Sequence, residues 1–140
     1  MPQASLLDPA VATTVARWHR MIANRDLSEV SSLMCDGVEF RSPAFWKPHA
    51  GPAKVSHVLQ TVMTIFESFA YHREFVTADG AGLVLEFSAR IGDLELKGID
   101  MIGFDQDGLM ERFEVMVRPM KSLKLLAERM GAGLDPIIMA

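Results

Sequence analysis

Four consecutive stretches in the second half of the chain alternate apolar and polar residues, and they constrain the fold more than any other feature. They cover residues 71–78, 83–90, 94–104 and 109–118, and period-two alternation is typical of strands buried on one face. Asp-Gly or Gly-Asp pairs separate them at residues 79–80, 92–93 and 107–108, and such pairs favour hairpin turns. Because connections this short join only antiparallel neighbours, the sequence predicts a four-stranded antiparallel meander.

The first half of the chain instead repeats apolar residues at helical spacing. Asp8 is suited to cap the N-terminus of a helix, and Pro9 is suited to its first position. This helix is expected to carry Trp18 on its buried face. An Asp-x-x-Glu capping pattern at residues 26–29 predicts a short second helix, and residues 38–42 alternate as a strand. A third helix is expected over residues 52–68 and a last one over residues 119–130. Helices on one side of a sheet make an α+β fold, here a curved antiparallel sheet wrapped, cone-like, around a long helix.

Composition excludes several classes of protein. The 140 residues carry a net charge of −4, without the basic cluster that nucleic-acid binding needs. No apolar run is long enough for a membrane span, and no secretory signal is visible, so a cytoplasmic protein is expected. One cysteine, Cys35, excludes an internal disulfide, and the four histidines lack metal-ligand spacing, so no metal is expected.

A length of 140 residues predicts a single domain over residues 1–140. The apolar tail, residues 134–140, is expected to fray, to cover a cavity or to dock on a partner chain.

Four segments carry a family resemblance. They are Ile22-Ala-Asn-Arg-Asp-Leu27, then Val38-Glu-Phe-Arg-Ser-Pro43 with Pro48-His-Ala-Gly51, and Gly98-Ile-Asp-Met-Ile-Gly-Phe-Asp-Gln-Asp-Gly108. Together with the order of elements, they resemble the nuclear transport factor 2-like superfamily over nearly the whole chain. That superfamily includes ketosteroid isomerases, SnoaL-type polyketide cyclases and limonene epoxide hydrolases. The resemblance implies a cystatin-like α+β barrel with a conical cavity, but the fold alone does not imply an activity.

The resemblance also implies which positions correspond to functional residues of the family. The pocket tyrosine of the ketosteroid isomerases corresponds to Trp18, their aspartate base to Ser42, and their second pocket aspartate to Asp100. Since serine has no useful basicity near neutral pH, steroid isomerisation is disfavoured. The arginine that the epoxide hydrolases need falls on Gly98, which is a poor match. The SnoaL-type cyclases need little more than one aspartate in the pocket, and Asp100 satisfies that requirement.

Two functions therefore remain open from the sequence. The first is a cofactor-independent enzyme of the SnoaL-like cyclase or isomerase type, acting on a small apolar carbonyl compound with Asp100 as acid or base. An aspartate among apolar residues should have a raised pKa, because burial disfavours its charged form. The second is a non-catalytic module of the same fold for small-molecule binding or dimerisation.

Strand parity predicts which side chains face the cavity. Strand 83–90 is ambiguous, although hydrophobicity favours Leu83, Leu85 and Phe87 as its inner residues. His49 is interpreted as a surface residue of the loop at the cavity mouth. The predicted catalytic residue is Asp100, and the predicted substrate contacts are Trp18, Ser42, Phe40, His57, Phe104, Phe113, Val115 and Val117.

The ten methionines are only partly explained by core filling. Some of them alternate with inward residues and therefore face away from the cavity. Apolar side chains on an outer sheet face need cover, and a second copy of the chain is the simplest cover. The sequence thus predicts a homodimer through the outer face, with Ile99, Met101, Arg112, Glu114, Met116 and Arg118 at the interface.

Overall fold

The structure, a computed structural model, describes residues 6–133, so the tail at residues 134–140 lies outside the described residues. Three helices and six strands make up this part, with one 3-10 turn at Val30–Leu33. In chain order they are α1 (Pro9–Ala23), β1 (Met34–Arg41), β2 (His49–Ala50), α2 (Pro52–Ile65), β3 (Glu67–Val76), β4 (Gly82–Ile91), β5 (Leu94–Phe104), β6 (Met110–Arg118) and α3 (Met120–Gly133).

The strands form one curved sheet in the order β2-β1-β6-β5-β4-β3, which does not close on itself. The predicted meander is confirmed, since β3 to β6 pair antiparallel with their neighbours along the chain. The prediction that the whole sheet is antiparallel is wrong in one place, because β1 pairs parallel with β6. The connection between them contains β2, α2 and the strands β3 to β5, and a parallel pair needs such a long crossover. The predicted α+β class with a curved sheet is confirmed.

Side-chain hydrogen bonds, one local and one between distant residues, accompany the differences between two predicted helices and the structure. The Asp26 carboxylate accepts the N–H and the hydroxyl of Ser28, at 3.1 and 2.7 Å, and this turn replaces the first turn of the short second helix. Helix α2 ends at Ile65 and not near residue 68. The Arg25 guanidinium donates to the carbonyl of Met63 at 2.9 Å, and Phe66 already has an extended backbone.

The core lies between the helices and the inner face of the sheet. On β4 the inner residues are Leu83, Leu85 and Phe87, each 1% exposed, so the interpretation from hydrophobicity is confirmed. Helix α1 is tied to the β5–β6 turn by Thr14, whose hydroxyl donates to the Gly108 carbonyl. Within residues 6–133 no helix combines the length and the apolar character that crossing a bilayer requires.

Candidate active site

An apolar cavity opens between the three helices and the inner face of the sheet. The space free of protein atoms in this cavity, including its open mouth, is about 800 Å³. Helix α2 contributes one aliphatic wall, with Val58, Leu59 and Val62. Aromatic rings form much of the remainder, and among the lining residues within positions 6–133 Asp100 is the one acidic side chain. Such a cavity suits a mostly apolar molecule with few polar atoms.

Asp100 lies in the middle of β5, where its neighbours across the sheet are Leu85 and Val115. The strand directs its side chain inward, as predicted, and only 6% of the residue is exposed. Burial raises the pKa of Asp100 to about 7, against a partial lowering by a hydrogen bond from Tyr71. At neutral pH this carboxyl is therefore present in both its protonated and its ionised form.

Two hydrogen bonds connect Asp100 to α1 through Tyr71. The Trp18 indole N–H donates to the Tyr71 hydroxyl oxygen at 3.0 Å, and that hydroxyl donates to Asp100 Oδ2 at 2.6 Å. Burial, and next the proximity of Asp100, raise the pKa of Tyr71 well above its usual range. The Tyr71 hydroxyl is therefore protonated at neutral pH and acts as a neutral hydrogen-bond donor.

This arrangement changes the role expected for Trp18. An indole has one N–H, and Tyr71 already accepts it, so Trp18 positions the tyrosine and does not itself reach Asp100 or a ligand oxygen. Sequence reasoning missed Tyr71 as a site residue. A signal was available, because it is the chain's single tyrosine and a buried hydroxyl needs a partner.

Ser42 lines the cavity at the end of β1, but its hydroxyl is occupied by the mouth loop, residues 42–48. It accepts the backbone N–H groups of Ala44 and Phe45, at 3.3 and 2.9 Å, and lies 3.4 Å from the Phe45 carbonyl. Phe45 turns towards the cavity, whereas Trp46 next to it is 92% exposed. Ser42 thus shapes the loop at the mouth, which differs from its predicted role as a substrate contact.

The remaining predicted contacts divide into two groups. Phe40, Phe113 and Val115 line the cavity, as expected. The expectation is wrong for three others, which lie outside it. His57 is exposed because its position on α2 turns it to solvent. Phe104 is buried in the core at the C-terminal end of β5. Val117 packs outside the cavity lining, against a group of buried apolar residues that includes Ile91 and Leu96.

His49 belongs to the cavity wall, so its interpretation as a surface loop residue is wrong. It lies on β2, directly opposite Phe40 on β1, and its ring centroid is 6.2 Å from that of Phe40. Residues opposite each other on antiparallel strands share a face, and Phe40 faces the cavity. The residue is 7% exposed, and burial, followed by the charge of Lys54, lowers its pKa. The imidazole is therefore neutral at pH 7.

No hydrogen bond from the described part of the chain reaches the His49 imidazole. Among residues 6–133, no fully buried side-chain nitrogen or oxygen lacks a hydrogen-bond partner. The ring nitrogens of His49 are therefore not fully enclosed by protein atoms. In the same part of the chain, no three histidine, cysteine, aspartate or glutamate side chains come together as metal ligands.

Gly98 shows why an arginine is absent two residues before Asp100. A Cβ atom at this position would collide with the Met116 carbonyl and with the Phe87 ring. Phe87 thus occupies the space into which a longer side chain would extend. The poor match to epoxide hydrolases noted above has a steric basis in this chain.

A curved sheet that encloses a cavity together with three helices defines the cystatin-like class of α+β proteins, and solved structures of this class are similar to the chain. A steroid delta-isomerase from Pseudomonas aeruginosa is 54% identical, with a TM-score of 0.91 over 96% of this chain and 98% of that one. An uncharacterized protein with a cystatin-like fold from Silicibacter pomeroyi is 34% identical, with a TM-score of 0.80 over 85% and 83% of the two chains.

An NTF2-like protein of unknown function from Mesorhizobium loti is 16% identical, with a TM-score of 0.68 over 79% and 92% of the two chains, and shows the shared fold. No family model matches the chain, and no curated protein does. The chain belongs to the nuclear transport factor 2-like superfamily, as the resemblance in its sequence predicted.

Proposed function

We propose that this protein is a cofactor-independent enzyme of the isomerase or cyclase type, which moves a proton on an apolar carbonyl compound. The observation that carries the proposal is the hydrogen-bond series from Trp18 through Tyr71 to Asp100, which ends at a buried carboxyl with a pKa of about 7. A carboxyl that titrates near neutrality inside a cleft is a candidate for acid–base catalysis.

The direction of the hydrogen bonds supports a role for Asp100 at the substrate oxygen. Tyr71 donates to Oδ2, which leaves Oδ1 as the atom that can carry the acidic proton. A protonated Asp100 can then donate from Oδ1 to a carbonyl oxygen, and negative charge that develops on this oxygen strengthens the bond. Donors that are already oriented towards such an oxygen lower the barrier most in a site that excludes water.

The apolar wall supports a hydrophobic substrate, and the 54% identical protein is named as a steroid delta-isomerase. That name supports an isomerase that acts on an apolar ring compound. Ser42 has its hydroxyl bound within the mouth loop and supplies no base. A base for carbon acids must therefore come from another side chain of the cavity.

Hydrogen–deuterium exchange tests the proposal without knowledge of the product. Cyclic β,γ-unsaturated ketones, from one ring to a steroid, are incubated with the protein in D₂O and followed by NMR. We expect the protein to accelerate exchange at carbon, and Asp100→Asn to slow it by about 100-fold or more. Asp93→Asn, in the exposed β4–β5 turn, is the matched control and should keep the full rate. Absence of exchange with every ketone would contradict the proposal.

A non-catalytic binding module of the same fold is the second candidate. One observation favours it. Ser42 stands at the position that corresponds to the base of the isomerases, and its hydroxyl is bound to the backbone of the mouth loop. A ligand that binds the folded state raises the melting temperature, and it does so more strongly the higher its concentration is relative to its Kd. Equal shifts for the unmodified protein and for Asp100→Asn, without any turnover, would support binding alone.

We also propose that a second copy of the chain covers the outer face of the sheet. Phe75, Val84 and Met101 lie side by side across β3, β4 and β5, and Ile99 lies opposite Met116. Phe75 is 50% exposed and Met116 is 48% exposed. Residues of both charges border these apolar ones on the same face, namely Arg112, Glu114 and Arg118, so a twofold arrangement can pair them across an interface. Arg73 and Glu86, on the same face, already form an ion pair with each other within the chain.

A further inference from the structure

We propose that the mouth of the cavity docks on the surface of an anionic lipid bilayer, so that apolar molecules dissolved in the bilayer pass directly into the cavity. The inference goes beyond the proposed function, because it depends on the residues around the mouth and not on a reaction at Asp100. The mouth loop, helix α2 and helix α3 border the cavity there, and each of them contributes lining residues.

The mouth loop presents a large aromatic side chain to solvent. Trp46 is 92% exposed, while Phe45 beside it lines the cavity. Two backbone N–H groups of the loop donate to Ser42 Oγ, at 2.9 and 3.3 Å, so the loop has a fixed form before it meets a partner. Tryptophan is enriched at membrane–water interfaces, where its ring lies at the level of the lipid headgroups. A preformed loop with an exposed tryptophan therefore suits shallow insertion into lipid.

The elements around the mouth are cationic, although the chain as a whole is acidic. No aspartate or glutamate occurs between residues 42 and 66, a stretch that contains the mouth loop, β2 and α2, and α3 adds one acidic residue, Glu128. Five cationic residues stand against this single acid, so these elements carry a net charge of +4, while the remainder of the chain carries −8. The five are Lys47, Lys54, Lys121, Lys124 and Arg129.

Three of these lysines lie close to the mouth itself, and all three are exposed. Lys47 belongs to the mouth loop. Lys54 is near enough to His49 in the cavity wall for its charge to lower the pKa of that imidazole. Lys124 lies one helical turn before Ala127, which lines the cavity. Within residues 6–133 none of the three forms an ion pair, so their charges are available to a partner.

An anionic bilayer fits this combination of features. Its headgroups attract lysines near its surface, and an inserted aromatic ring adds apolar area removed from water. The cavity that opens among these residues accepts apolar molecules, and such molecules concentrate in lipid because water excludes them. The proposed dimer uses the outer face of the sheet and leaves the mouth free.

Co-sedimentation with vesicles of equal parts phosphatidylcholine and phosphatidylglycerol tests the inference, and circular dichroism checks that each variant folds. We expect the unmodified protein to bind these vesicles and to dissociate in high salt, which screens the attraction. Trp46→Ser should weaken binding by about tenfold or more, because binding scales with the apolar area inserted. Lys47→Gln should weaken it by about fivefold, through the loss of one charge at the surface. The matched control, Lys97→Gln on the outer face of β5, should bind like the unmodified protein.

Brominated lipids in the same vesicles give a second measurement, because bromine quenches only the indoles that it contacts. Emission of the unmodified protein should fall when it binds, whereas in Trp46→Phe the emission of buried Trp18 should persist. No binding of the unmodified protein would overturn the inference and favour an acidic protein as the partner of this face. Equal binding by the unmodified protein, Trp46→Ser and Lys47→Gln would also overturn it, since another face would then carry the contact. Neither result affects the proposed function, which ketone exchange in solution tests separately.

Discussion

Tyr71 donates its hydroxyl hydrogen to Asp100 Oδ2 over 2.6 Å, and this bond gives the polar network of the cavity its direction. Donation runs from the indole of α1 to the phenol of β3 and from there to the carboxyl of β5. Hydrogen bonds in such a series strengthen one another, because each donor is polarised by the bond that its own oxygen accepts. Asp100 is thereby oriented before any ligand enters.

Replacing Tyr71 with phenylalanine should raise the pKa of Asp100 further. The hydrogen bond from Tyr71 is the one interaction that lowers this pKa, and its removal leaves burial unopposed. The variant also leaves the Trp18 N–H without its acceptor, which costs about 1–3 kcal/mol of stability. A carbon-13 NMR titration of the Asp100 carboxyl measures the pKa. Trp18→Phe, which keeps the bond from Tyr71 to Asp100, is the control, and an unchanged or lower pKa in Tyr71→Phe would contradict the prediction.

Asp100→Asn should alter how stability depends on pH. The pKa of Asp100 is raised from 3.8 to about 7, so the folded state is favoured while the carboxyl is protonated and loses that advantage as the pH rises. We expect the unmodified protein to lose stability relative to Asp100→Asn between about pH 4 and pH 7. Since one pH unit corresponds to about 1.4 kcal/mol, the loss is at most about 4 kcal/mol.

Urea unfolding of both proteins at several pH values measures this difference. His49, whose lowered pKa acts in the opposite direction, is present in both proteins and cancels in the comparison. A difference in stability that stays constant from pH 4 to pH 8 would show that burial does not perturb Asp100.

Gly98→Ala should destabilise the fold, although alanine suits a strand better than glycine. The added Cβ would meet the Met116 carbonyl and the Phe87 ring, so β5 and β6 or the wall of the cavity must shift. Such overpacking costs about 1–3 kcal/mol. Gly37→Ala in β1 is the matched control, because nothing lies within 4 Å of its added Cβ. Thermal unfolding of the two variants should differ clearly, and equal stability would refute the steric explanation for Gly98.

Met116→Lys should weaken the proposed dimer. Met116 lies on the outer face of β6, where a lysine in each copy adds charge to an apolar interface. Met120→Lys on α3, at a residue that is 84% exposed, is the same substitution away from that face. Sedimentation velocity at micromolar concentration should give a dimer for the unmodified protein and for Met120→Lys, and a larger monomer fraction for Met116→Lys. A monomeric unmodified protein would contradict the dimer.

Local sequence patterns predicted most of the fold because its elements are defined locally. The meander followed from alternation and from turn residues such as Asp79-Gly80 and Gly92-Asp93, and the structure has those strands and turns. The parallel pairing of β1 with β6 did not follow, because no local signal states which strands meet across the long connection. Helix α2 ends earlier than predicted, and Arg25, almost forty residues away in the sequence, donates to the carbonyl of Met63 near this end.

The candidate site was predicted only in part, for the same reason. Parity placed Asp100 and Phe113 inward, and both line the cavity. Tyr71 was missed because its role depends on two bonds to residues distant in the sequence. His49 was misinterpreted because the Pro and Gly residues around it are typical of a loop, whereas a two-residue strand turns it inward beside Phe40.

The two tryptophans give the protein an intrinsic optical label. Trp18 is 3% exposed and bonded to Tyr71, whereas Trp46 on the mouth loop is 92% exposed. A soluble quencher such as iodide should therefore reach Trp46 and leave Trp18 emitting. In a Trp46→Phe variant all remaining emission would come from the first donor of the polar network. Its wavelength would then report, in real time, the titration of Asp100 and the arrival of a molecule in the cavity.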